Sequence, residues 1–205
     1  DKVLCEAFDT IESVRINSGT SLTYFEYSTL AAMHLFVQSK VDIAILEVGL
    51  GGRLDATNVF DADCAILTSI GLDHMDYLGH TREAIGFEKA GIMRPGKVAI
   101  STGLNPPESI AEVARDLDIR LYQAGRDFSW AVTDKARSIQ WDGRKNGNVP
   151  VSITALKFPN LPEESVSGAL QTLHLLDIDL EKIDFSCLSS ITLPGRFQQL
   201  NMAGK

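Results

Sequence analysis

Two side chains suited to sharing a metal ion come at the ends of apolar runs in this 205-residue sequence. Glu47 lies near the end of Val41–Val48, and His74, preceded by Asp73, follows Cys64–Ile70. Both runs have the pattern of strands that are buried on both faces. Since open parallel sheets bind ligands beyond the carboxyl ends of their strands, a carboxylate and an imidazole there suit Mg²⁺, with water or phosphate completing the shell. The structural alternative is that Glu47 caps a loop and His74 bonds a backbone carbonyl.

A glycine-rich loop, GLGGRLDATN at 49–58, follows the first of these runs. Glycines let a backbone approach a ligand closely, but this loop matches neither the GxGxxG pattern nor the phosphate-binding GxxxxGK[ST] pattern. No phosphate loop of that kind occurs elsewhere in the sequence. An enzyme that uses a nucleotide would therefore have to obtain its phosphate cradle from outside these residues.

Three other side chains have a chemistry that depends on how far they are buried. Lys89 lies between apolar and small neighbours, which favours partial desolvation and a reactive amine. An isolated lysine more often extends its ammonium into water, and that alternative stays open. Tyr24 and Phe25 could stack on a flat heterocycle, but aromatic residues at helical spacing are more often part of a core.

The pattern of apolar residues predicts the elements that position these side chains. Helical spacing predicts helices over 2–15, 22–40, 81–93, 107–117, 162–176 and 181–191. Short apolar runs predict strands over 41–48, 64–70, 97–101 and 119–123. Further along, alternating segments that carry Trp130 and Trp141 predict an antiparallel hairpin, with 149–156 as a third strand. We therefore predict an α/β fold: a mostly parallel sheet flanked by helices, with a small antiparallel β segment near residues 127–155.

Composition and charge exclude several classes of protein. There are 19 Lys and Arg against 27 Asp and Glu, a formal net charge of −8, which argues against nucleic acid or an anionic membrane as a general partner. The three cysteines, at positions 5, 64 and 187, form no CxxC pair and are typical of reduced thiols in the cytoplasm. No apolar run approaches the roughly 20 residues that a membrane-spanning helix needs.

Four segments stand out together: LTYFEYSTLAA, ILEVGLGGRLDATN, TSIGLDHMDYLG and EKAGI. In combination they resemble the folylpolyglutamate synthase/dihydrofolate synthase family of the Mur ligase superfamily. The similarity is nearly continuous over residues 21–96 and returns at LPGRF, residues 193–197. The resemblance implies a ligase that joins L-glutamate to dihydropteroate or a reduced folate. By the same resemblance, ATP is the expected co-substrate: it would convert the acid to an acyl phosphate, from which the glutamate amine would then displace phosphate.

The same resemblance implies roles for individual residues at the metal and the nucleotide. Glu47 and His74 match the ligands of Mg²⁺, the expected cofactor. His74 and Lys89 are the expected catalytic residues, and Lys89 matches a lysine that becomes carbamylated in the family. Arg196 matches a hinge arginine that reaches the nucleotide phosphates. The full-length enzyme is expected to be a cytoplasmic monomer whose partners are small molecules, with neither nucleic acid nor a membrane among them.

A substrate pocket with two walls is also implied by the resemblance. Thr23, Tyr24, Phe25 and Glu26 match the segment that lines the dihydropteroate pocket, with Phe25 as the stacking ring. Leu54 and Asp55 match the opposite wall, where a carboxylate can accept hydrogen bonds from the amino and ring N–H groups of a pterin.

The resemblance further implies that residues 1–192 are an incomplete central domain of the ligase. The phosphate-loop region would precede residue 1, and 193–205 would form a hinge to a C-terminal domain. Such a fragment is expected to be inactive alone and, because a strand edge is left unpaired, marginally stable or self-associating. Three alternatives remain: a Mur-type ligase for a different acid, a metal-dependent hydrolase that uses Glu47, Asp73 and His74, and a non-catalytic pterin-binding remnant.

Overall fold

The computed structural model of this chain describes residues 2–133, 138–145, 150–157 and 161–191. These residues belong to two compact units, Asp1–Asp61 and Ala62–Lys205. The boundary predicted at residues 192 and 193 lies outside the described residues. No helix in the described part of the chain is both long enough and apolar enough to cross a membrane.

The first unit is built on two helices, as predicted. Helix α1 spans Lys2–Ser18 and helix α2 spans Tyr24–Ser39. The two helices contact each other through Tyr27 and Phe8. The Tyr27 hydroxyl donates to the carbonyl oxygen of Phe8 at 2.7 Å, and the centroids of the two rings lie 5.7 Å apart. A 3₁₀ turn at Ala56–Val59 follows the glycine-rich loop.

The strand predicted over Val41–Val48 is not formed, and this prediction was wrong. The segment carries no strand assignment and pairs with none of the described strands. Ile43 is 53% exposed and Ile45 is 88% exposed. An apolar run becomes a buried strand only where a neighbouring strand takes up its backbone N–H and C=O groups. The composition of this segment suits the interior of a sheet, but the described residues contain no strand that pairs with it.

The second unit contains the predicted parallel sheet. Its strands are β1 (Cys64–Leu67), β2 (Val98–Ser101) and β3 (Arg120–Gln123), in the order β1-β2-β3. Both pairings are parallel. Between the strands lie α3 (Met75–Leu78), α4 (Arg82–Ala90) and α5 (Glu108–Asp116). Their apolar faces meet the sheet in one buried cluster that includes Leu67, Ile85, Ala99, Ile110 and Leu121.

The predicted antiparallel segment is also present. Strands β4 (Ser129–Val132), β5 (Ser138–Arg144) and β6 (Pro150–Lys157) pair in that order, and Trp130 stands opposite Trp141. Helix α6 (Glu163–Leu175) packs its apolar residues against this sheet. The α/β fold, with a parallel sheet flanked by helices and a small antiparallel sheet, is thereby confirmed.

The helix predicted over 181–191 is replaced by two short 3₁₀ helices, Leu180–Lys182 and Phe185–Ser189. Each begins where an aspartate accepts a hydrogen bond from a backbone N–H two residues ahead. Asp179 accepts from Glu181 at 3.2 Å, and Asp184 accepts from Ser186 at 2.9 Å. Such aspartates compete for the backbone and start new turns, which divides the segment.

Candidate functional site

In the first unit, residues of both predicted pocket walls meet at Gly49. A β-carbon placed on Gly49 would lie 2.8 Å from Cζ of Phe25 and 3.2 Å from Oδ2 of Asp55. Real β-carbons are almost never found as close as the first of these distances. Only glycine therefore lets the Phe25 ring rest on this backbone, with the Asp55 carboxylate on its border. We call Phe25, Gly49 and Asp55 the platform.

The Asp55 carboxylate organises the loop of the platform. Its Oδ1 accepts from the N–H of Thr57 at 2.9 Å and from the Thr57 hydroxyl at 2.6 Å, while its Oδ2 accepts from the N–H of Leu50 at 2.9 Å. The N–H of Gly49 adds a further bond. A carboxylate offers about four lone-pair sites. Loop donors therefore occupy this group, and a pterin N–H that reached it would share an oxygen with them.

These bonds also keep Asp55 ionised. Partial burial raises the pKa of Asp55, but hydrogen bonds from Thr57, Leu50 and Gly49 outweigh that effect and hold the pKa below its ordinary value. The charge is satisfied by backbone and hydroxyl donors. The platform therefore carries a fixed negative charge beside its aromatic ring.

The first turn of α2 presents the aromatic residues of the other wall. Thr23 and Glu26 form a capping box: Glu26 Oε2 accepts from the backbone N–H of Thr23 at 2.7 Å, and the N–H of Glu26 donates to Thr23 Oγ1 at 3.3 Å. The backbone hydrogen bond from Thr23 is the main reason why the pKa of Glu26 is lowered. Thr23 and Glu26 thus fix the start of the helix and the direction of the two residues between them.

The aromatic side chains on that turn are not core residues. Tyr24 is 89% exposed and Phe25 is 43% exposed, while Leu54 on the loop is 81% exposed. The core alternative considered for Tyr24 and Phe25 is therefore wrong. Part of the Phe25 ring is open to solvent, which leaves it accessible to a flat ligand.

The two predicted metal ligands lie in different units, Glu47 in the first and His74 in the second, and both are exposed. Their pairing stays a prediction. Their donor types, a carboxylate oxygen and an imidazole nitrogen, suit an ion that keeps most of its water. Among the described residues no group of three or more His, Cys, Asp and Glu side chains is arranged to hold a metal.

His74 has an unusual backbone. Its φ of 51° and ψ of 38° are left-handed, and it begins helix α3 without a capping bond from its side chain. Its N–H donates to Asp73 Oδ1 at 2.8 Å, and its Nε2 lies 3.7 Å from Asp73 Oδ2. Non-glycine residues in this region are uncommon and cluster at functional sites. Asp73 thus contacts both the backbone and the ring of His74.

Lys89 lies in the last turn of α4 and is half-buried. The helix that carries it packs closely on α5: a β-carbon on Gly86 would lie 2.6 Å from Oγ of Ser109 and 3.0 Å from the ring of Pro107. The sequence left two alternatives open, a desolvated Lys89 and a Lys89 that extends into water. The observed half-burial of the side chain is intermediate between them. The position of Lys89 therefore depends on the close packing of α4 against α5, which only a glycine at residue 86 allows.

Arg82 was missed by the sequence analysis. It is the first residue of α4, and its guanidinium donates from Nε to the carbonyl oxygen of Ile70 at 3.0 Å and from Nη2 to that of Asn105. A cation is unfavourable at a helix N-terminus because of the helix dipole. The positive charge of Arg82 at this position is the signal in the sequence that could have indicated a side chain whose hydrogen bonds go to other segments.

Arg196, the predicted nucleotide contact, lies outside the described residues.

Comparison with known proteins gives a consistent result. The family model described as Mur ligase middle domain matches residues 2–130. The dihydrofolate synthase/folylpolyglutamate synthase of Haemophilus influenzae is 43% identical over 185 residues, covering 90% of this chain and 41% of the relative. That of Escherichia coli is 44% identical over 193 residues, covering 94% and 44%. The chain therefore spans less than half the length of these relatives.

Solved structures show the same similarity in three dimensions. E. coli FolC in complex with DHPP and ADP superposes with a TM-score of 0.84 at 42% identity, over 94% of this chain and 44% of that one. A bifunctional folylpolyglutamate synthase/dihydrofolate synthase with Mn, AMPPNP and L-glutamate bound gives 0.82 at 42% identity, over 97% and 46%.

Proposed function

Since the chain belongs to the Mur ligase middle domain family, we propose that it forms the central part of an ATP-dependent ligase. The full-length protein joins L-glutamate to dihydropteroate, to reduced folates or to both, through an acyl phosphate. Support comes from relatives named dihydrofolate synthase/folylpolyglutamate synthase that match about nine-tenths of this chain. In this proposal residues 1–192 belong to the central domain, and 193–205 to the hinge that follows it.

The platform is the observation that carries this function. A half-exposed aromatic ring lies against a glycine backbone, with an ionised carboxylate on its border. Flat heterocycles stack on such rings, and a pterin also has amino and ring N–H groups that a carboxylate can accept. We assign Phe25 to stacking. Asp55 holds the loop and shares an oxygen with the ligand, while Thr23 and Glu26 fix the helix that presents Tyr24 and Phe25.

The metal and the lysine belong to the activation of the acid. A carboxylate is a poor electrophile, and phosphoryl transfer to it requires positive charge near the transferring group. Glu47 and His74 would hold Mg²⁺, which supplies that charge when bound. Lys89 supplies either an ammonium or, once carbamylated, an anion suited to a second ion. Arg196, on the hinge, would contact the nucleotide phosphates.

The full-length enzyme would work as a cytoplasmic monomer on small molecules, without nucleic acid or a membrane. The hydrolase alternative needs Asp73 as a metal ligand, whereas Asp73 here bonds the backbone and faces the ring of its neighbour His74. The hydrolase alternative also leaves the exposed aromatic wall formed by Tyr24 and Phe25 without an assigned role.

Binding of dihydropteroate to the chain tests the proposal. The affinity is measured by fluorescence titration for the wild type and for Phe25→Ala. Phe87→Ala is the matched control, because Phe87 is 49% exposed on α4 in the other unit. We expect binding in the wild type and the control, and a loss of up to roughly tenfold in Phe25→Ala, the upper end for one lost stacking contact. Equal affinity in all three proteins would overturn the platform as the pterin site.

A further inference from the structure

The side chains of the first two residues of helix α4 form hydrogen bonds with the backbone of three other segments of the second unit. Arg82 donates to the carbonyl oxygens of Ile70, after β1, and Asn105, after β2. Glu83 accepts from the backbone N–H groups of Ser109 at 2.9 Å and Glu108 at 3.3 Å, at the start of α5. A cation thus bonds two carbonyls and an adjacent anion bonds two amides. We call this pair the clamp.

The two halves of the clamp use geometry that other residues do not reproduce. The guanidinium is planar, and its N–H groups point in fixed and different directions, so that one side chain can bridge two separate carbonyls. The carboxylate of Glu83 satisfies amides at a helix N-terminus that have no partner within the helix. Its bond from the Ser109 amide is the main reason why the pKa of Glu83 is lowered.

The carbonyl of Ile70 is the point at which the His74 segment leaves the core. Ile70 is 7% exposed, the seven residues from 71 to 77 are all exposed, and Leu78 is buried again. The segment therefore begins and ends at buried residues. Towards its far end, the N–H groups of Tyr77 and Leu78 donate to the carbonyl oxygen of His74 at 2.9 and 3.0 Å, which closes the turn at His74. At the near end, the bond from Arg82 fixes the carbonyl of Ile70.

We infer that Arg82 is a positioning residue for His74. By holding the Ile70 carbonyl, it maintains the left-handed turn that presents the imidazole at the carboxyl edge of the parallel sheet. The importance of the turn rests on the proposed function, in which His74 binds the metal ion. Arg82 holds the turn whether or not a metal ion is bound.

Amide hydrogen exchange of the whole chain tests the inference. The amides of Tyr77 and Leu78 report whether the His74 turn is formed, and the amides of β1 to β3 report on the sheet. In Arg82→Gln we expect exchange at Tyr77 and Leu78 to accelerate about tenfold or more, with sheet amides unchanged. Arg115→Gln is the control: it removes an exposed arginine of the same unit that pairs with Glu108 on the surface, and it should leave Tyr77 and Leu78 unchanged.

Two results in Arg82→Gln would overturn the inference. One is exchange at Tyr77 and Leu78 in Arg82→Gln that equals the wild type. The other is equal acceleration at these amides and throughout the sheet, which would make Arg82 a general support of the fold. Partial recovery in Arg82→Lys, which can reach one carbonyl but not bridge two, would support the bridging role. Full recovery in Arg82→Lys would contradict it.

Binding of Mn²⁺, followed by the electron paramagnetic resonance signal of the free ion, separates this inference from the proposed function. If the wild type binds Mn²⁺, the affinity of Arg82→Gln should fall tenfold or more, the order found for residues that orient metal ligands. If the wild type binds none, the metal role proposed for His74 fails. The exchange result then still decides whether Arg82 positions the turn.

Discussion

The Phe25 ring rests on the backbone of Gly49, so closely that a β-carbon at residue 49 would lie 2.8 Å from ring atom Cζ. The two residues come from separate segments, the start of α2 and the glycine-rich loop. Their contact is what turns an exposed aromatic side chain into a flat surface of fixed orientation. Asp55 stabilises the loop side of this contact through bonds from Gly49, Leu50 and Thr57.

Gly49→Ala should impair ligand binding more than folding. The added methyl group collides with the half-exposed Phe25 ring, which can swing aside at little cost in stability but no longer offers its face. We expect dihydropteroate affinity to fall by roughly tenfold, the order of one stacking contact, with a nearly unchanged urea midpoint. Gly71→Ala is the control, since nothing lies within 4 Å of a β-carbon there. Unchanged affinity in Gly49→Ala would show that the ring orientation does not matter.

The contribution of Asp55 to stability should depend on pH. Because its pKa is lowered in the folded chain, its bonds stabilise the fold fully above its unfolded pKa of about 3.9. The contribution is lost as the pH falls through the lower folded pKa. Asp55→Ala should therefore be less stable than the wild type by about 1 kcal/mol at pH 7, as for loss of a capping side chain. Urea unfolding from pH 7 to pH 2 should show the difference shrinking below about pH 4; a constant difference would contradict this account.

Gly86→Ala should destabilise the second unit even though alanine is the better helix former. Helix propensity alone favours alanine by about 1 kcal/mol. The new methyl group, however, would lie 2.6 Å from Ser109 Oγ and 3.0 Å from the Pro107 ring, and overpacking of this kind costs about 1–3 kcal/mol. Urea unfolding should therefore show a net loss of stability. A gain would mean that α4 and α5 separate freely, and that Lys89 is not held by this contact.

The exposed apolar segment should make the isolated chain associate. Ile45 is 88% exposed and Ile43 is 53% exposed in a run that pairs with no described strand, and exposed apolar patches promote association. Sedimentation velocity should show a mass that rises with concentration, and Ile45→Lys should reduce that rise. Leu104→Lys, at a residue that is 61% exposed in the other unit, is the control. A wild-type chain that is monomeric at all concentrations would rule out this expectation.

Local patterns were sufficient to predict most elements of the fold. Helical spacing located α1 and α2, alternation located the hairpin in which Trp130 and Trp141 stand opposite each other, and short apolar runs located β1 to β3. The strand at Val41–Val48 was wrongly predicted from the same kind of run. Strand formation depends on a partner elsewhere in the chain, and that information is not local.

The candidate site was predicted less completely than the fold. The resemblance implied both walls of the pocket, but not that Asp55 would be engaged by four loop donors or that Gly49 would be the point of contact. Arg82 was missed because its acceptors are carbonyls 12 residues before it and 23 residues after it. Every residue has a backbone carbonyl, so the residue types at positions 70 and 105 do not show that they accept these bonds. The only signal in the sequence was a cation at the start of a helix, where it is unfavourable.

ADP release by the complete reading frame that contains these residues decides whether the protein is a folate-directed ligase. It is measured with Mg²⁺ and ATP, adding L-glutamate and then dihydropteroate or a reduced folate in turn, for the wild type and for Phe25→Ala. We predict release that requires both glutamate and a pterin, with Phe25→Ala raising the KM for the pterin. Release that is independent of a pterin, or absent with every acceptor, would contradict the assignment of this chain to a folate-directed ligase.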